Sequence, residues 1–175
     1  MKIQTANFWK FSNSFYADDG VAAACLSLQN NYGFDVNLVL FCFWFGFRSG
    51  ELDPHTLDAA WSLSCHWRQQ VVQPLRQVRQ WMKSRPNTVA ADQLEEFAKL
   101  RERIKDNELA AEKIQQQSLQ SLTEHINIRT ITPEQAVLAS RANFISLCTK
   151  MSLPLDAAME ALLVELERAM EKLAP

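Results

Sequence analysis

Apolar residues recur at helical spacing along most of this chain. Residues 8–16 place aromatic side chains three, four and seven positions apart, and residues 21–28 carry a single apolar stripe. Residues that can cap a helix precede each segment, Asn7 before the first and Asp18 and Asp19 before the second. Gly33 follows the second segment, where left-handed backbone commonly ends a helix. The pattern therefore predicts two short helices at the start of the chain.

Residues 36–48 are the most informative stretch, because ten of these thirteen residues are apolar. A helix that is apolar on every side must be buried. At about 1.5 Å of rise per residue it would be about 20 Å long, shorter than the roughly 30 Å hydrocarbon core of a bilayer. A buried β-strand is the alternative, but the stretch is long for a strand and no second strand is available to pair with it. We therefore expect a central core helix at 36–48, capped by Asp35.

Residues 53–83 predict a long helix with two different faces. Asp53 and Pro54 suit the cap and the first helical position, and Pro74 is expected to kink the helix. At 100° per residue the apolar side chains share one arc. The opposite arc is basic and contains Arg68, Arg76, Arg79 and Lys83.

The helical pattern resumes over residues 89–126, which form either one helix or two. As one helix the segment would be about 55 Å long, whereas a compact domain of this length has a radius of gyration of about 16 Å. We expect a break at Asp106–Asn107 rather than a continuous helix that projects as one arm of a hairpin. A capping box at Thr132 and Gln135 starts a further helix, and the last helix spans about 155–173.

These elements predict an all-α fold, a compact helical bundle or array of six to eight helices in a single domain spanning residues 1–175. The chain is 47% hydrophobic and 22% charged, as in ordinary globular proteins. Residues 1–90 contain eight basic and six acidic residues, whereas residues 91–175 contain ten and fourteen. The net charge of −2 is too small to indicate nucleic acid or a membrane as an overall partner.

The remaining chemistry of the sequence is sparse. The N-terminal stretch lacks the apolar run of a secretory signal, and the four cysteines form no C-x-x-C pair, so we expect a cytoplasmic protein with reduced thiols. Cys65 and His66 are neighbours, but adjacent helical positions point about 100° apart and cannot form a nucleophile and base. We predict no catalytic residue, no metal site and no cofactor.

Two groups of residues are candidates for binding. The basic face with Trp81 could hold phosphate groups, an acidic partner or the chain's own acidic half. Alternatively, it is solvated or paired with Glu95, Glu96 or Glu102. Asn37 is the one polar side chain inside the apolar helix, and it either caps backbone groups locally or makes a polar contact in a ligand cavity. The candidate binding residues are Asn37, Arg68, Arg76, Arg79, Trp81 and Lys83.

Four motifs occur in order in the first half of the chain. They are FW-x-F-x-x-x-FY (8–16), V-x-x-x-CL-x-LQ (21–29), DVN-x-x-LF-x-x-W (35–44) and V-x-PLR-x-x-R (72–79). In this set the chain resembles a proteobacterial family of uncharacterised small helical proteins. The resemblance covers about residues 7–85 and leaves the acidic half, residues 89–173, uncovered. It implies a bacterial cytosolic protein and no catalytic residues.

Three hypotheses about function follow. The first is a non-enzymatic adaptor or regulatory module that binds another protein, with self-association through the second-half helices, where exposed Leu and Ile would need cover. The second is binding of nucleic acid or a ribonucleoprotein through the basic face. The third is binding of a small apolar ligand in the aromatic core around Phe41, Trp44 and Phe45.

Overall fold

A computed structural model describes residues 7–85, 88–129 and 131–173 of the chain. Residues 1–6 and 174–175, residues 86–87 between the two halves and residue 130 lie outside the described part. The described residues form α-helices and contain no strand, which confirms the predicted all-α fold. The α-helical segments are α1 (Phe8–Tyr16), α2 (Asp19–Tyr32), α3 (Val36–Ser49), α4 (Pro54–Trp67), α5 (Gln73–Ser84), α6 (Leu94–Ser121), α7 (Pro133–Lys150) and α8 (Ala157–Leu173).

Side-chain caps fix the start of most helices where the sequence predicts them. Asn7, Asp18, Asp35 and Asp53 each accept a hydrogen bond from a backbone N–H in the first turn of α1 to α4. Thr132 begins α7 with a complete capping box. Such caps satisfy backbone donors that have no partner inside the helix. The helix boundaries are therefore set largely by local sequence.

Helix α3 is the centre of the core, as its composition predicts, and the alternative of a buried strand is wrong. Its residues from 37 to 46 are all buried. One side of α3 packs closely against α7, where Gly46 lies against Ser140. Aromatic rings fill the space around the helix, with Phe8 on Trp44 and Phe34 on Phe144 as stacked pairs. Burial of these rings supplies much of the hydrophobic stabilisation.

The long helix of the first half accommodates Pro74 in a specific way. Helix α4 continues into a π-helical segment, Arg68–Val72, and then into α5, which has Pro74 in its first turn. Proline donates no backbone hydrogen bond and crowds the carbonyl four residues before it. The wider π-helical turn lies immediately before the proline and relieves this conflict, since such turns insert one extra residue into a helix.

The predicted break at Asp106–Asn107 is wrong, because α6 continues without interruption from Leu94 to Ser121. It packs against α5 as the second arm of a hairpin. Glu108, immediately after the expected break, is buried and accepts hydrogen bonds from two arginines of α5. This tertiary contact stabilises α6 at residues 106–107, where the local sequence does not by itself favour a continuous helix.

The segment most similar to a membrane span by composition is α3. Within the described ranges, no helix combines the length and the apolar character that crossing a bilayer would require.

Candidate functional site

A cleft of about 560 Å³ opens where α1, α2, α3, α5 and α6 meet. Half-buried Trp9 and Tyr16 of α1 form part of its wall, and exposed Leu26 and Leu109 lie at its edge. Polar and charged side chains make up most of the remaining lining. They are Ser12, Asn13, Gln29, Asn30, Asn37, Arg76, Arg79, Gln80, Glu108, Glu112 and Gln116.

A chain of side-chain hydrogen bonds leads from Asp35 into this cleft. Gln115 donates through its Nε2 to Asp35 Oδ2 at 2.6 Å and to Ser64 Oγ at 2.9 Å. Asn37 donates through its Nδ2 to Gln115 Oε1 at 2.8 Å. Gln116 donates through its Nε2 to Asn37 Oδ1 at 2.7 Å. We call this series of four side chains, Asp35, Gln115, Asn37 and Gln116, the amide relay.

The carboxylate at one end of the amide relay fixes the orientation of every amide in it. An ionised carboxylate can only accept hydrogen bonds, so Gln115 must present its NH₂ group to Asp35 and its oxygen to Asn37. Asn37 must then present its own oxygen to Gln116, which uses its NH₂ group there. The orientation of amides is normally ambiguous, but a connected network of this kind determines it.

The last carbonyl of the amide relay has no partner. Gln116 is 3% exposed and lines the cleft, and its Oε1 accepts no hydrogen bond within the described structure. Ser12, also 3% exposed, lines the same cleft, and its Oγ is likewise unpartnered. A buried polar group without a partner costs about 1–3 kcal/mol. Two such groups in one cleft wall lower the stability of the folded protein.

Two arginines of α5 and two glutamates of α6 form an ion cluster on the other side of the cleft. Arg76 donates through Nε to Glu108 at 2.8 Å and through Nη2 to Glu112 at 2.7 Å. Arg79 donates through Nε to the second oxygen of Glu108 at 2.5 Å. The third donor of Arg76, Nη1, reaches Gln29 Oε1 at 2.7 Å. Both guanidinium groups are therefore already occupied by acceptors of this chain.

The pKa values of the two glutamates of the cluster shift in opposite directions. Burial alone would raise the pKa of the Glu108 carboxyl, but the hydrogen bonds from Arg79 and Arg76 outweigh it and lower that pKa below its usual value. For Glu112, burial raises the pKa, and the nearby charges of Glu108 and Asp35 add to the effect of burial despite Arg76. The pKa of Tyr16 is raised by burial, then by Cys25 and by Glu112. Of these two glutamates, Glu112 is therefore the one whose negative charge is less compensated.

Three of the six candidate binding residues line the cleft, and they are Asn37, Arg76 and Arg79. The structure brings Asn37 of α3 together with Arg76 and Arg79 of α5. Asp35 provides the local cap of α3, and the Asn37 side chain forms hydrogen bonds with Gln115 and Gln116 of α6. Arg76 and Arg79 pair with acidic residues of the chain's own second half. Their partners are Glu108 and Glu112 rather than Glu95, Glu96 or Glu102, which the sequence analysis named.

The other three candidates lie outside the cleft. Arg68 donates to the backbone carbonyl of Gly33 at 2.8 Å, where it helps to close the end of α2. Trp81 and Lys83 are exposed on the outer side of α5. The basic face is therefore divided. The π-helical segment Arg68–Val72 changes the register between Arg68 and α5, whereas Trp81 and Lys83 lie on α5 with Arg76 and Arg79 but outside the cleft.

Sequence reasoning missed the residues that α6 contributes. Glu108, Glu112, Gln115 and Gln116 recur at spacings of four, three and one, which places them on one side of a helix. That spacing was available as a signal, but a polar stripe is normally read as the solvated face. Only the packing of α6 across α3 shows that this stripe faces inward. Ser12 offered no signal of any kind in the sequence.

The aromatic core does not form the cleft. Phe41, Trp44 and Phe45 are buried and pack against one another and against Phe8. None of the three lines the cleft. Across the part of the chain that the structure describes, no group of three or more His, Cys, Asp and Glu residues is placed to hold a metal ion. Burial, followed by the charge of Asp35, raises the pKa of the Cys65 thiol, the opposite of what activates a nucleophile.

Comparison with known proteins gives one match. Residues 7–119 match the model of a family described as "Protein of unknown function (DUF2390)". This region extends beyond residue 85, where the resemblance read from sequence motifs ends, and it contains every residue that lines the cleft. No curated protein and no solved structure matches the chain.

Proposed function

Because the chain belongs to this family of unknown function, we infer its role from its own residues. We propose that it is a non-enzymatic binding protein whose cleft takes a small polar molecule. The observation that carries the proposal is the orphaned carbonyl of Gln116, held in the cleft wall by the amide relay. A ligand with an N–H or O–H group would satisfy this carbonyl. Ligand sites typically have a few such fixed polar groups in a concave wall.

The cost of the amide relay supports a binding role. Asn37, Gln115 and Gln116 are at most 6% exposed. Burying three amides costs free energy unless each of their polar groups makes a hydrogen bond. Each of their side-chain nitrogens and oxygens is paired within the chain except the carbonyl oxygen of Gln116, a residue that lines the cleft. Proteins commonly accept lower stability at functional sites in return for a preorganised partner group.

We expect Ser12→Ala to stabilise the ligand-free protein while weakening ligand binding. Removal of an unpartnered buried hydroxyl and the better helix propensity of alanine should raise the free energy of unfolding by about 1 kcal/mol. Loss of one hydrogen bond to the ligand should weaken affinity by about tenfold. Urea denaturation measures the first quantity, and isothermal titration calorimetry measures the second.

Ser49→Ala is the matched control. Ser49 is a helical serine that is 2% exposed with an unpartnered Oγ, but it does not line the cleft. This variant should gain similar stability and keep its affinity. The probes are 1,4-diaminobutane, acetamide and inorganic phosphate, which represent positive, neutral and negative ligands. If none binds the wild-type protein, or if both variants lose affinity equally, the proposed function is wrong.

A second candidate function is self-association through the α5–α6 hairpin, as a protein-interaction module. Val78 and Trp81 lie one turn apart on α5 and are 48% and 49% exposed. Leu94 and Leu100 of α6 are exposed to a similar degree. Basic Lys83 and Arg85 adjoin the first patch, and the acidic Glu95 and Glu96 adjoin the second. In a two-fold dimer each patch could cover the other with matching charge.

We expect Trp81→Lys to convert a wild-type dimer into a monomer, because half-exposed tryptophans are frequent hot spots of interfaces. Sedimentation velocity at 100 μM protein, with circular dichroism to verify folding, measures this. Leu138→Lys is the control, since Leu138 of α7 is 66% exposed and lies outside both patches. A monomeric wild type, or a control that dissociates equally, would exclude self-association through the hairpin.

Nucleic-acid binding through the basic face has less support than either proposal. Arg76 and Arg79 direct their guanidinium donors to Glu108, Glu112 and Gln29 rather than outward. Phosphate contacts depend on free cationic donors. A small apolar ligand would need a cavity among aromatic rings that pack on one another.

A bacterial, cytoplasmic protein is the setting that we propose for this binding role. Cys25, Cys42 and Cys148 are buried free thiols. Burial raises the pKa of Cys25 to about 12 and that of Cys148 to about 11. Unpaired, protonated thiols of this kind suit a reducing compartment. Fractionation of the native cell tests the proposal, and recovery of the protein outside the cytoplasm would contradict it.

A further inference from the structure

We propose that the molecule bound in the cleft carries a protonated amine, which the Glu112 carboxylate and the Gln116 carbonyl hold together. This inference rests on the proposed function, because it assigns a chemical class to the ligand of the same cleft. It follows from three properties of the cleft wall: the kind of hydrogen-bonding groups left unused, the balance of charge and the aromatic lining.

Gln116 and Glu112 each leave a hydrogen-bond acceptor unused in the cleft wall. Gln116 Oε1 can accept hydrogen bonds but cannot donate them, and the amide relay prevents the amide from turning over. Glu112 uses one carboxylate oxygen for Arg76, and its second oxygen accepts no hydrogen bond from the described residues. A ligand that satisfies both must bring several donors and no negative charge. An ammonium group has three donors and no acceptor.

The charges around the cleft disfavour an anion. Among the residues that line the cleft, the positive charges of Arg76 and Arg79 are matched by Glu108 and Glu112. Asp35 and Lys113 add one charge of each sign nearby. An anionic ligand would have to displace Glu108 or Glu112 from the arginines, at the cost of leaving a partly buried carboxylate unpaired.

The aromatic lining suits a cation as well. Trp9 and Tyr16 line the cleft on the side of α1. The face of an aromatic ring attracts an ammonium group, and the chain itself shows this at Trp9, where the Lys113 ammonium lies 5.7 Å from the ring centroid. Lys113 is exposed and is not among the residues that line the cleft, so an amine bound deeper in the cleft would meet Tyr16 instead.

A consequence is that the affinity for an amine should depend on pH. Burial raises the pKa of Glu112, with the charges of Glu108 and Asp35 acting in the same direction and that of Arg76 against it. Tyr16 and Arg79 also face this region, and the Lys113 ammonium lies over Trp9 at the same cleft. An amine needs Glu112 in its ionised form. Affinity should therefore rise with pH as the Glu112 carboxyl loses its proton, and level off above its pKa.

The experiment compares the three probes on wild-type protein and on two variants by isothermal titration calorimetry. We expect 1,4-diaminobutane to bind saturably, and Glu112→Gln to weaken it at least tenfold, as for loss of a hydrogen bond to a charged group. Glu102→Gln is the matched control, because Glu102 is an exposed glutamate of the same helix and its replacement changes the net charge equally. It should alter the affinity less than twofold.

Each outcome distinguishes the two proposals. If acetamide or phosphate binds in the cleft and the diamine does not, the amine assignment is wrong and the binding function stands. If no probe binds, both fail. Equal weakening by Glu112→Gln and Glu102→Gln would show a general charge effect and overturn the amine site. The pH dependence on the wild-type protein is an independent check, and affinity that is flat or falls from pH 4 to 7 contradicts the proposal.

Discussion

Gly46→Ala is expected to lower the free energy of unfolding by about 3 kcal/mol or more, which can prevent folding of a domain of this size. A Cβ at residue 46 would lie 2.3 Å from Ser140 Oγ, 2.6 Å from Ser140 N and 2.7 Å from Ser140 Cα. Two of these three atoms are backbone and cannot rotate away. Helices α3 and α7 would have to separate, which would open the centre of the core. Urea denaturation, or the yield of folded protein, measures the effect.

Gly20→Ala is the control for this prediction. Gly20 also lies in a helix, and its added Cβ would come no closer than 3.0 Å to another atom, a side-chain oxygen of Asp18. The free energy of unfolding should change by less than about 1 kcal/mol, the usual size of a glycine-to-alanine effect in a helix. If Gly46→Ala is as stable as this control, the close packing of α3 on α7 is not as described.

Glu108→Gln is expected to lower the free energy of unfolding by about 2–3 kcal/mol at pH 7. Removing one member of a buried ion pair costs about 3–5 kcal/mol, and the partial exposure of Arg76 and Arg79 reduces this value. The variant leaves two guanidinium groups without their shared carboxylate. Since this contact also holds α6 across residues 106–107, the hairpin should lose protection from amide hydrogen exchange first.

The pH dependence of the Glu108 contribution has a definite sign. The pKa of Glu108 is lowered in the folded protein, so its contribution is present above the unfolded pKa of about 4.3. The contribution is lost as the pH falls through the folded-state pKa. The difference between wild type and Glu108→Gln should therefore shrink in urea titrations below pH 4. A difference that does not change with pH, or one matched by Glu102→Gln, would contradict the assigned role.

Local sequence determines most of the fold. The caps at Asn7, Asp18, Asp35 and Asp53 and the capping box at Thr132 could all be predicted, because each depends on groups a few residues apart. The buried position of α3 could be predicted too, since a helix with no polar face can only lie in a core. The continuity of α6 could not be predicted, because it depends on hydrogen bonds from α5 residues that lie 32 and 29 positions away in the chain.

The candidate site was only partly visible in the sequence. Asn37 stood out as the polar side chain of an apolar helix, and Arg76 and Arg79 stood out as members of a basic helix face. Their meeting in one cleft depends on how α3, α5 and α6 pack, which no local pattern contains. Gln115 and Gln116 were missed for the same reason, because glutamine on a polar stripe is ordinarily solvated. Unpartnered atoms such as Ser12 Oγ become visible only when every neighbour is placed.

The binding account connects these features. Asp35 both caps α3 and orients the amide relay, so the fold and the site share one residue. The unpartnered groups of Gln116 and Ser12 lower the stability of the ligand-free protein. Binding would satisfy them, and the stabilisation of the folded state would grow with the logarithm of the ligand concentration once the ligand is in excess over Kd. The same reasoning predicts that removal of the orphaned groups improves stability, whereas removal of Asp35 or Glu108 reduces it.

The measurement that tests this account most directly is an NMR titration of the side-chain amides with 1,4-diaminobutane, acetamide and phosphate. The account predicts that one probe shifts the Gln116 amide signals saturably, with smaller shifts of Asn37 and Gln115 along the amide relay. The exposed Gln117 should not respond. If no probe moves the Gln116 signals, or if Gln117 shifts as much, the cleft is not a binding site and the account is contradicted.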